Sequence, residues 1–315
     1  MHNIYSALQF PALISQTAAV TPRRVGRITA IGAVLLAGCL ALSVWLAVRV
    51  RDAQAARSVS SVLIEPRQAL AKAGPARPGR SMVSVPAPLA ACEARIERRP
   101  RLLPTVAVVG ASITAGTGPN NPEESWAVEL ARQLHWNAVV YGVPGTGYLR
   151  ASGFGRGPMT RMLGALNLPA LDPALVIVQA GHDDLGASAA LEERRVRATV
   201  DLIHAAAPGA RIGLLTTFAG VLGGTPALRG IDRAIISAGT AADPGVVIMD
   251  PLAGQWSFPR AADSLHPTAA GDAWIARRVA AILRAHGVRP APATAGLPVI
   301  CDVSIGAGKP VSATD

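Results

Sequence analysis

The chain has 315 residues, half of them apolar and 16% charged, which fits one sizeable globular domain with additional segments and leaves little room for two full domains. Its formal net charge of +10 is uneven, because residues 1–103 hold 14 Lys and Arg against 4 Asp and Glu, whereas residues 104–315 hold 16 of each. The folded part is therefore expected to be neutral and to bind no nucleic acid. The excess of Lys and Arg in residues 1–103 is typical of segments that flank a membrane anchor and of a linker near an anionic surface.

The first recognisable element is an uncharged run of 21 residues, Ile28 to Val48. At the rise of an α-helix this run matches a hydrocarbon core of about 30 Å. Arginines stand on both sides of it, so the run predicts a transmembrane anchor. With the folded part outside, the segment before the anchor, residues 1–27, is expected to be cytoplasmic. A buried core helix and a cleavable signal peptide are the alternatives, and the charged ends, the length and the late start disfavour them.

A second interpretation of this run centres on Cys39. Leu36-Ala37-Gly38-Cys39 resembles the lipobox of bacterial lipoproteins, in which the cysteine is lipidated after cleavage. The apolar run continues for nine residues beyond Cys39, which disfavours that reading. Either kind of anchor would tether the protein outside the cytoplasm.

The distribution of arginines does not orient the anchor, because three lie within 15 residues on each side. The other two cysteines, Cys92 and Cys301, flank the region expected to fold. A disulfide between them would clamp the ends of that region and would indicate an extracytoplasmic domain. Together with the predicted anchor, this gives the expectation of a membrane-anchored domain in a bacterial cell envelope. Two unrelated buried thiols are the alternative, since sequence spacing does not show that the Cα atoms come within bonding range.

Composition divides the rest of the chain. Residues 49–100 are rich in Ala, Arg, Pro and Ser without a sustained period, which predicts a linker. Residues 101–288 are expected to form the domain, and residues 289–315 a tail tied to it if Cys301 is bonded. The sequence does not specify an oligomeric state.

Within the domain, short apolar runs alternate with helical patterns, which predicts an α/β fold with a five-stranded parallel sheet. The expected strands are Thr105–Val109, Ala138–Tyr141, Leu175–Gln179, Arg211–Thr216 and Val246–Met249. The expected helices are Glu123–Leu134, Leu191–Ala206, Ala227–Ala238 and Ala269–His286. In such sheets, reactive groups gather at the carboxyl ends of the strands.

The first expected strand runs into a tight turn of small residues that carries Ser112. Alone, Gly110-Ala111-Ser112 is a weak signal, because an ordinary turn or capping serine fits it as well. A serine nucleophile needs a base, a group that orients the base, and donors for the oxyanion. Asp263-Ser264-Leu265-His266-Pro267, before the last helix, offers the base and its orienting carboxylate.

Two further segments follow the second and third expected strands. Glycines in Gly142-Val143-Pro144-Gly145-Thr146-Gly147 let a backbone N–H approach a substrate oxygen closely. Nucleotide binding is the alternative for this loop, but the full Gly-x-Gly-x-x-Gly spacing is absent. Gly181-His182-Asp183-Asp184 also lies at the carboxyl edge.

These four segments, in this order, resemble the four blocks of the SGNH (GDSL-like) hydrolase family over about residues 104–287. The resemblance implies a three-layer, flavodoxin-like sandwich, with no metal and no organic cofactor. It also implies Ser112 as the nucleophile, whose own N–H joins the oxyanion hole, and Gly145 as the second N–H donor. His266 corresponds to the general base and Asp263 to its orienting carboxylate.

The chain departs from the family pattern at two positions. Ala111 replaces the aspartate of the Gly-Asp-Ser block, which leaves the nucleophile in place. Asp183 stands where the family has the asparagine that donates to the oxyanion, and an ionised carboxylate only accepts hydrogen bonds. We expect burial and the neighbouring Asp184 to keep Asp183 protonated. The alternatives are that Asp183 points away while His182 or backbone N–H groups replace it, or that the enzyme is weak.

The sequence thus predicts a serine esterase that acts on acyl esters, including acetyl esters, of envelope glycans, lipids or small alcohols. An acyltransferase of the same family is one alternative. A non-catalytic module that binds a glycan or an acyl chain is another, although loss of activity would not be expected to preserve Ser112, His266 and Asp263 together.

Overall fold

Six parallel strands form a single sheet in the computed structural model, which describes residues 87–98, 102–118, 124–220 and 223–305. The strands are β1 (Thr105–Gly110), β2 (Asn137–Gly142), β3 (Leu175–Gln179), β4 (Arg211–Leu215), β5 (Val247–Met249) and β6 (Ile300–Asp302). Their order in the sheet is β5-β4-β3-β1-β2-β6. Apart from β6, this is the flavodoxin-like order, in which the direction of winding reverses between β1 and β3.

Helices cover both faces of the sheet. They are α1 (Ala87–Glu97), α2 (Trp126–Leu134), α3 (Met159–Leu163), α4 (Leu168–Leu171), α5 (Ala189–Ala206), α6 (Pro226–Ala242) and α7 (Ala269–Ala285). One core contains side chains of α1, α3, α4, α5 and α6, and the other contains those of α2 and α7. Because successive strand residues point to opposite faces, Val109 joins the first core and Val108 the second. The predicted three-layer α/β fold is confirmed.

Local sequence explains where the long helices begin. Ser188, Thr225 and Thr268 each accept a hydrogen bond from a backbone N–H three residues later, which caps α5, α6 and α7. Strands β1, β2 and β3 are buried along their whole length, as expected for central strands of a parallel sheet. Helix α2 begins at Trp126 rather than at Glu123, because Ser125 is its N-cap.

The ends of the folded region differ from the sequence-based expectation. Helix α1 lies inside residues 49–100, the expected linker, and buries Leu89 and Cys92 against the sheet. Strand β6, in the expected tail, extends the sheet from five strands to six by pairing with β2. Cys92 and Cys301 form a disulfide with their Cα atoms 5.9 Å apart, so α1 and β6 are joined covalently.

Loss of this disulfide is expected to destabilise the domain. It closes a loop of 209 residues, and removing a native disulfide typically lowers the free energy of unfolding by about 2 to 5 kcal/mol. Cys301→Ser should therefore lower the thermal midpoint of the purified chain under oxidising conditions. A reductant should lower the wild-type midpoint to that of the variant and leave the variant unchanged. Equal midpoints for the oxidised wild type and the variant would contradict this prediction.

The predicted anchor, Ile28 to Val48, lies outside the described residues, as does Cys39. Within the part of the chain that the structure describes, no helix is long and apolar enough to cross a membrane.

Candidate active site

Ser112 stands in a tight turn directly after β1. The Ala115 N–H donates to Ala111 O at 3.0 Å and the Thr117 N–H donates to Ser112 O at 3.0 Å, which fixes the turn. Gly110 has no room for a side chain, because a Cβ there would lie 2.2 Å from Thr114 Oγ1. This close approach explains the glycine two residues before the serine.

Gln179, at the end of β3, holds the same turn from the neighbouring strand. Its side-chain oxygen accepts hydrogen bonds from the Ala111 N–H at 3.2 Å, the Thr114 N–H at 3.3 Å and the Thr114 hydroxyl at 3.0 Å. Sequence reasoning missed this residue. The available signal was a polar residue that ends an otherwise apolar strand, because a buried amide needs partners.

The structure brings Ser112, His266 and Asp263 into one hydrogen-bonded chain. His266 Nε2 lies 2.8 Å from Ser112 Oγ, and His266 Nδ1 lies 2.6 Å from Asp263 Oδ2. Because an ionised carboxylate only accepts, the proton between the last two atoms belongs to Nδ1, which leaves Nε2 to accept from the serine hydroxyl. This is the arrangement that a serine nucleophile and its base require.

A short hairpin carries both His266 and Asp263. Its two sides meet at an antiparallel bridge between Arg260 and Pro267, and the Ala261 N–H donates to His266 O at 2.8 Å. Ser264, at the tip, has φ of 58°, a left-handed conformation that turns the chain back. The guanidinium of Arg260 lies 4.6 Å from the ring centre of Phe258, which anchors the hairpin to the aromatic part of the core.

Asp263 is held in its ionised form. The hydrogen bond with His266 and the N–H of Leu265, against a small opposing effect of burial, lower the pKa of Asp263 to about 2. A lowered pKa means that the carboxylate, and its contact with His266, persists across the neutral range and is lost only as the pH falls toward about 2. Half of its side chain is exposed, so solvent screens this interaction.

Two backbone N–H groups lie on the segments expected to form an oxyanion hole. Gly145 has φ of 77°, a conformation that favours glycine. Within the described residues, the N–H groups of Ser112 and Gly145 donate to no protein acceptor. Both donors are therefore available to an oxygen that enters the site from outside.

Asp183 follows β3 at the same edge of the sheet. Burial raises its pKa, Asp184 adds to this effect, and His182, Arg150 and His266 oppose it. The direction agrees with the expected neutral carboxyl, and burial contributes more than Asp184. The effect of His266 on this pKa indicates that Asp183 lies within electrostatic range of the base.

If a neutral Asp183 donates to the oxyanion, Asp183→Asn should leave kcat unchanged or raise it by up to about 10²-fold, because an amide donates at every pH. In the wild type, activity should fall as the pH rises through the raised pKa of Asp183, and this fall should be absent from the variant. The measurement is kcat over about pH 5 to 9. The control is Asp201→Asn, the same substitution at an exposed aspartate of α5. A lower kcat in Asp183→Asn would mean that the carboxyl itself is needed.

Among the described residues, no group of three or more His, Cys, Asp or Glu side chains is arranged to hold a metal ion.

Comparison with known proteins gives one family match and several solved structures. The model of the GDSL-like Lipase/Acylhydrolase family matches residues 108–274, which is more than half of the chain. That range contains Ser112, Gly145, Asp183, Asp263 and His266. No curated protein sequence matches the chain significantly.

Two solved structures with a TM-score of 0.50 share the fold. A carbohydrate esterase family 2 enzyme from Corynascus thermopiles (Myceliophthora fergusii) is 22% identical, with a TM-score of 0.50 over 60% of this chain and 67% of its own. A family 2 carbohydrate esterase from Cellvibrio japonicus is 18% identical, with a TM-score of 0.50 over 59% of this chain and 62% of its own. Est24, a carbohydrate acetylesterase from Sinorhizobium meliloti, is 16% identical, with a TM-score of 0.46 over 58% of this chain and 99% of its own.

Proposed function

The chain belongs to the GDSL-like lipase/acylhydrolase family, and we propose that it hydrolyses acyl esters through a covalent intermediate on Ser112. The single observation that supports this mechanism most directly is the hydrogen-bonded chain from Ser112 Oγ through His266 to Asp263, with distances of 2.8 and 2.6 Å. A binding module would have no need for a serine hydroxyl aligned with an imidazole and a carboxylate.

In the proposed reaction, Ser112 Oγ attacks the acyl carbonyl carbon while His266 Nε2 takes the hydroxyl proton. The N–H groups of Ser112 and Gly145 donate to the oxygen that becomes negatively charged. His266 then returns the proton to the departing alcohol, which leaves the acyl group on Ser112. A water molecule, deprotonated by His266, releases the acid and restores the serine.

We propose that the alcohol part of the ester belongs to a glycan, with acetyl esters as the first candidates. Two solved structures of similar fold, each with a TM-score of 0.50, are carbohydrate esterases, which supports this choice over lipid esters. The same site chemistry serves lipid and small-alcohol esters, so the acyl length and the alcohol have to be measured.

We also propose that the domain works outside the cytoplasm on a membrane tether. Two observations support this location. The disulfide between Cys92 and Cys301 is a bond that persists in oxidising compartments. The apolar run Ile28 to Val48 is of the length and composition of a membrane anchor.

The proposal is tested by supplying the purified chain with p-nitrophenyl acetate, p-nitrophenyl octanoate and an acetylated xylan. We expect turnover of both the acetate ester and the polymer, with acetate released from the xylan. Turnover of the octanoate ester alone would contradict the glycan assignment and favour a lipid substrate. No turnover of any ester by the folded chain would contradict the proposed function.

A further inference from the structure

The loop that carries the Gly145 N–H rests on the side chain of Asp184. Asp184 Oδ2 accepts a hydrogen bond from the Tyr148 N–H at 2.6 Å. Asp184 Oδ1 accepts from the N–H groups of Leu149, at 3.2 Å, and Arg150, at 2.9 Å. A single carboxylate, only 3% exposed, therefore fixes three consecutive peptide groups shortly after Gly145.

Gly147 allows this carboxylate to lie directly against the loop. A Cβ at Gly147 would be 2.2 Å from both oxygens of Asp184. The Gly147 N–H donates to Arg150 O at 2.9 Å, and Gly147 O accepts from the Met159 N–H at 3.0 Å. Only Thr146 separates Gly147 from Gly145, so the residues that Asp184 holds lie next to Gly145 in the same loop.

A second carboxyl group, that of Glu192 on α5, lies beside Asp184 and is completely buried. Burial and, to a smaller extent, the Asp184 carboxylate raise the pKa of Glu192 to about 9. At neutral pH Glu192 is therefore protonated, and a protonated carboxyl is able to donate to the neighbouring carboxylate. The Tyr148 side chain is also fully buried, and burial, with smaller effects of Glu192 and Asp184, raises the pKa of its hydroxyl. Arg150 donates its backbone N–H to Asp184, and Asp183 is the preceding residue in the chain.

We propose that Asp184 and Glu192 form a positioning pair that holds the Gly145 N–H in the oxyanion hole. Neither side chain touches the substrate: Asp184 fixes the loop, and the protonated Glu192 holds Asp184 in place. This inference rests on the proposed hydrolase function. It assigns a catalytic consequence to two buried acids that take no part in the proton transfers.

The partners of Asp184 and the protonation of Glu192 explain how two carboxyl groups share one buried site. An ionised carboxylate without partners is costly to bury, but this one accepts three backbone N–H groups, and the protonated Glu192 beside it adds no second charge. If Glu192 ionises, a second negative charge stands beside Asp184 and pushes the loop and the carboxylates apart. Misplacing a catalytic donor by about 1 Å lowers the rate by about 10²-fold.

Three variants test the pair: Asp184→Asn, Glu192→Ala and Glu192→Gln. Asp184→Asn turns one acceptor into a donor that faces backbone N–H groups, so kcat should fall by about 10- to 100-fold while KM changes little. Glu192→Ala should also lower kcat, and Glu192→Gln should restore most of it, because the amide still donates to Asp184.

The matched control is Glu93→Gln. Glu93 is a buried carboxyl on α1 that accepts the Asn167 N–H at 2.7 Å, ahead of β3 and away from the carboxyl ends of the strands. If Asp184 has a purely structural role, Asp184→Asn and Glu93→Gln should both lower the thermal midpoint. In both variants, kcat per folded molecule should then equal that of the wild type. That result would overturn the proposal.

The pH profile gives a second readout, measured with triacetin in a pH-stat. In the wild type kcat should fall as the pH rises through about 9, because Glu192 then loses the proton that it shares with Asp184. In Glu192→Gln this fall should move to higher pH or disappear. An identical alkaline fall in both proteins would contradict the role of Glu192.

Amide hydrogen exchange separates this inference from the hydrolase function. Asp184→Asn should speed exchange in residues 145–150 and leave α1 unchanged, whether or not the chain hydrolyses any ester. If the wild type is inactive on all esters, the proposed function fails and exchange alone decides whether Asp184 fixes the loop. If the wild type is active and Asp184→Asn changes neither kcat nor exchange, the positioning pair is wrong.

Discussion

Replacing Ser112 with alanine is expected to lower kcat for ester hydrolysis by about 10⁴- to 10⁶-fold, because it removes the atom that forms the covalent intermediate. Ser112 is only partly buried and is not one of the hydrophobic residues of either core, so the variant should fold and keep the thermal midpoint of the wild type. The measurement is the steady-state hydrolysis of p-nitrophenyl acetate, with the spontaneous rate subtracted.

Ser257→Ala is the matched control for this variant. Ser257 is exposed and lies on the segment that leads to the hairpin of His266, so its loss should not change kcat. If Ser112→Ala retained more than about a tenth of the wild-type kcat, far above the residual rates of serine enzymes without their nucleophile, another group would have to be the nucleophile.

Replacing His266 with glutamine should be about as damaging as removing the serine, because the base acts on that serine. Glutamine fills a similar volume but cannot accept and return the proton at Nε2. The double variant Ser112→Ala/His266→Gln should then be no slower than either single variant, since the two residues act as one unit. The measurement is kcat of the three variants side by side.

The control for this prediction is His204→Gln, a half-exposed histidine on α5 that lies 3.6 Å from Asp243 and outside the site. It should keep the wild-type kcat. Multiplicative losses in the double variant would contradict a shared proton transfer, because independent contributions add in free energy.

The core of the fold is predictable from sequence because its signals are local and strong. Strand β3 has the predicted ends. The predictions for β1, β4 and β5 differ from the structure by one residue at one end, and that for β2 by one residue at both ends. Continuous apolar runs between helical patterns indicate buried parallel strands, and Thr268, predicted to lie at a helix N-terminus, is the N-cap of α7. The α/β class follows directly from this alternation.

The elements that sequence reasoning missed are stabilised by contacts far away along the chain. Strand β6 has three residues and forms because β2 offers it an edge and Cys92 is bonded to Cys301. Helix α1 has a weak apolar face in an Ala- and Pro-rich context, and its burial against the sheet decides its structure. Elements that are stabilised by such tertiary contacts show no hydrophobic periodicity from which they could be predicted.

In the candidate site, too, the residues with a local sequence signal were predicted and those held by long-range contacts were missed. The order of the four segments identifies Ser112, His266 and Asp263, and the structure brings these three together, while their catalytic roles stay predictions. The supporting contacts of Gln179 and Glu192 were not foreseen. They join residues from separate strands and helices, and a lone polar residue in a buried element does not name its partner.

The measurement that tests the central claim most directly is covalent labelling with a fluorophosphonate, followed by peptide mass spectrometry. A fluorophosphonate reacts with a serine that a neighbouring base activates, so it reports the nucleophile without any assumption about the substrate. The account predicts one added phosphonyl group on the peptide that contains Ser112, and its loss in His266→Gln. Labelling at another residue, or equal labelling of wild type and His266→Gln, would contradict it.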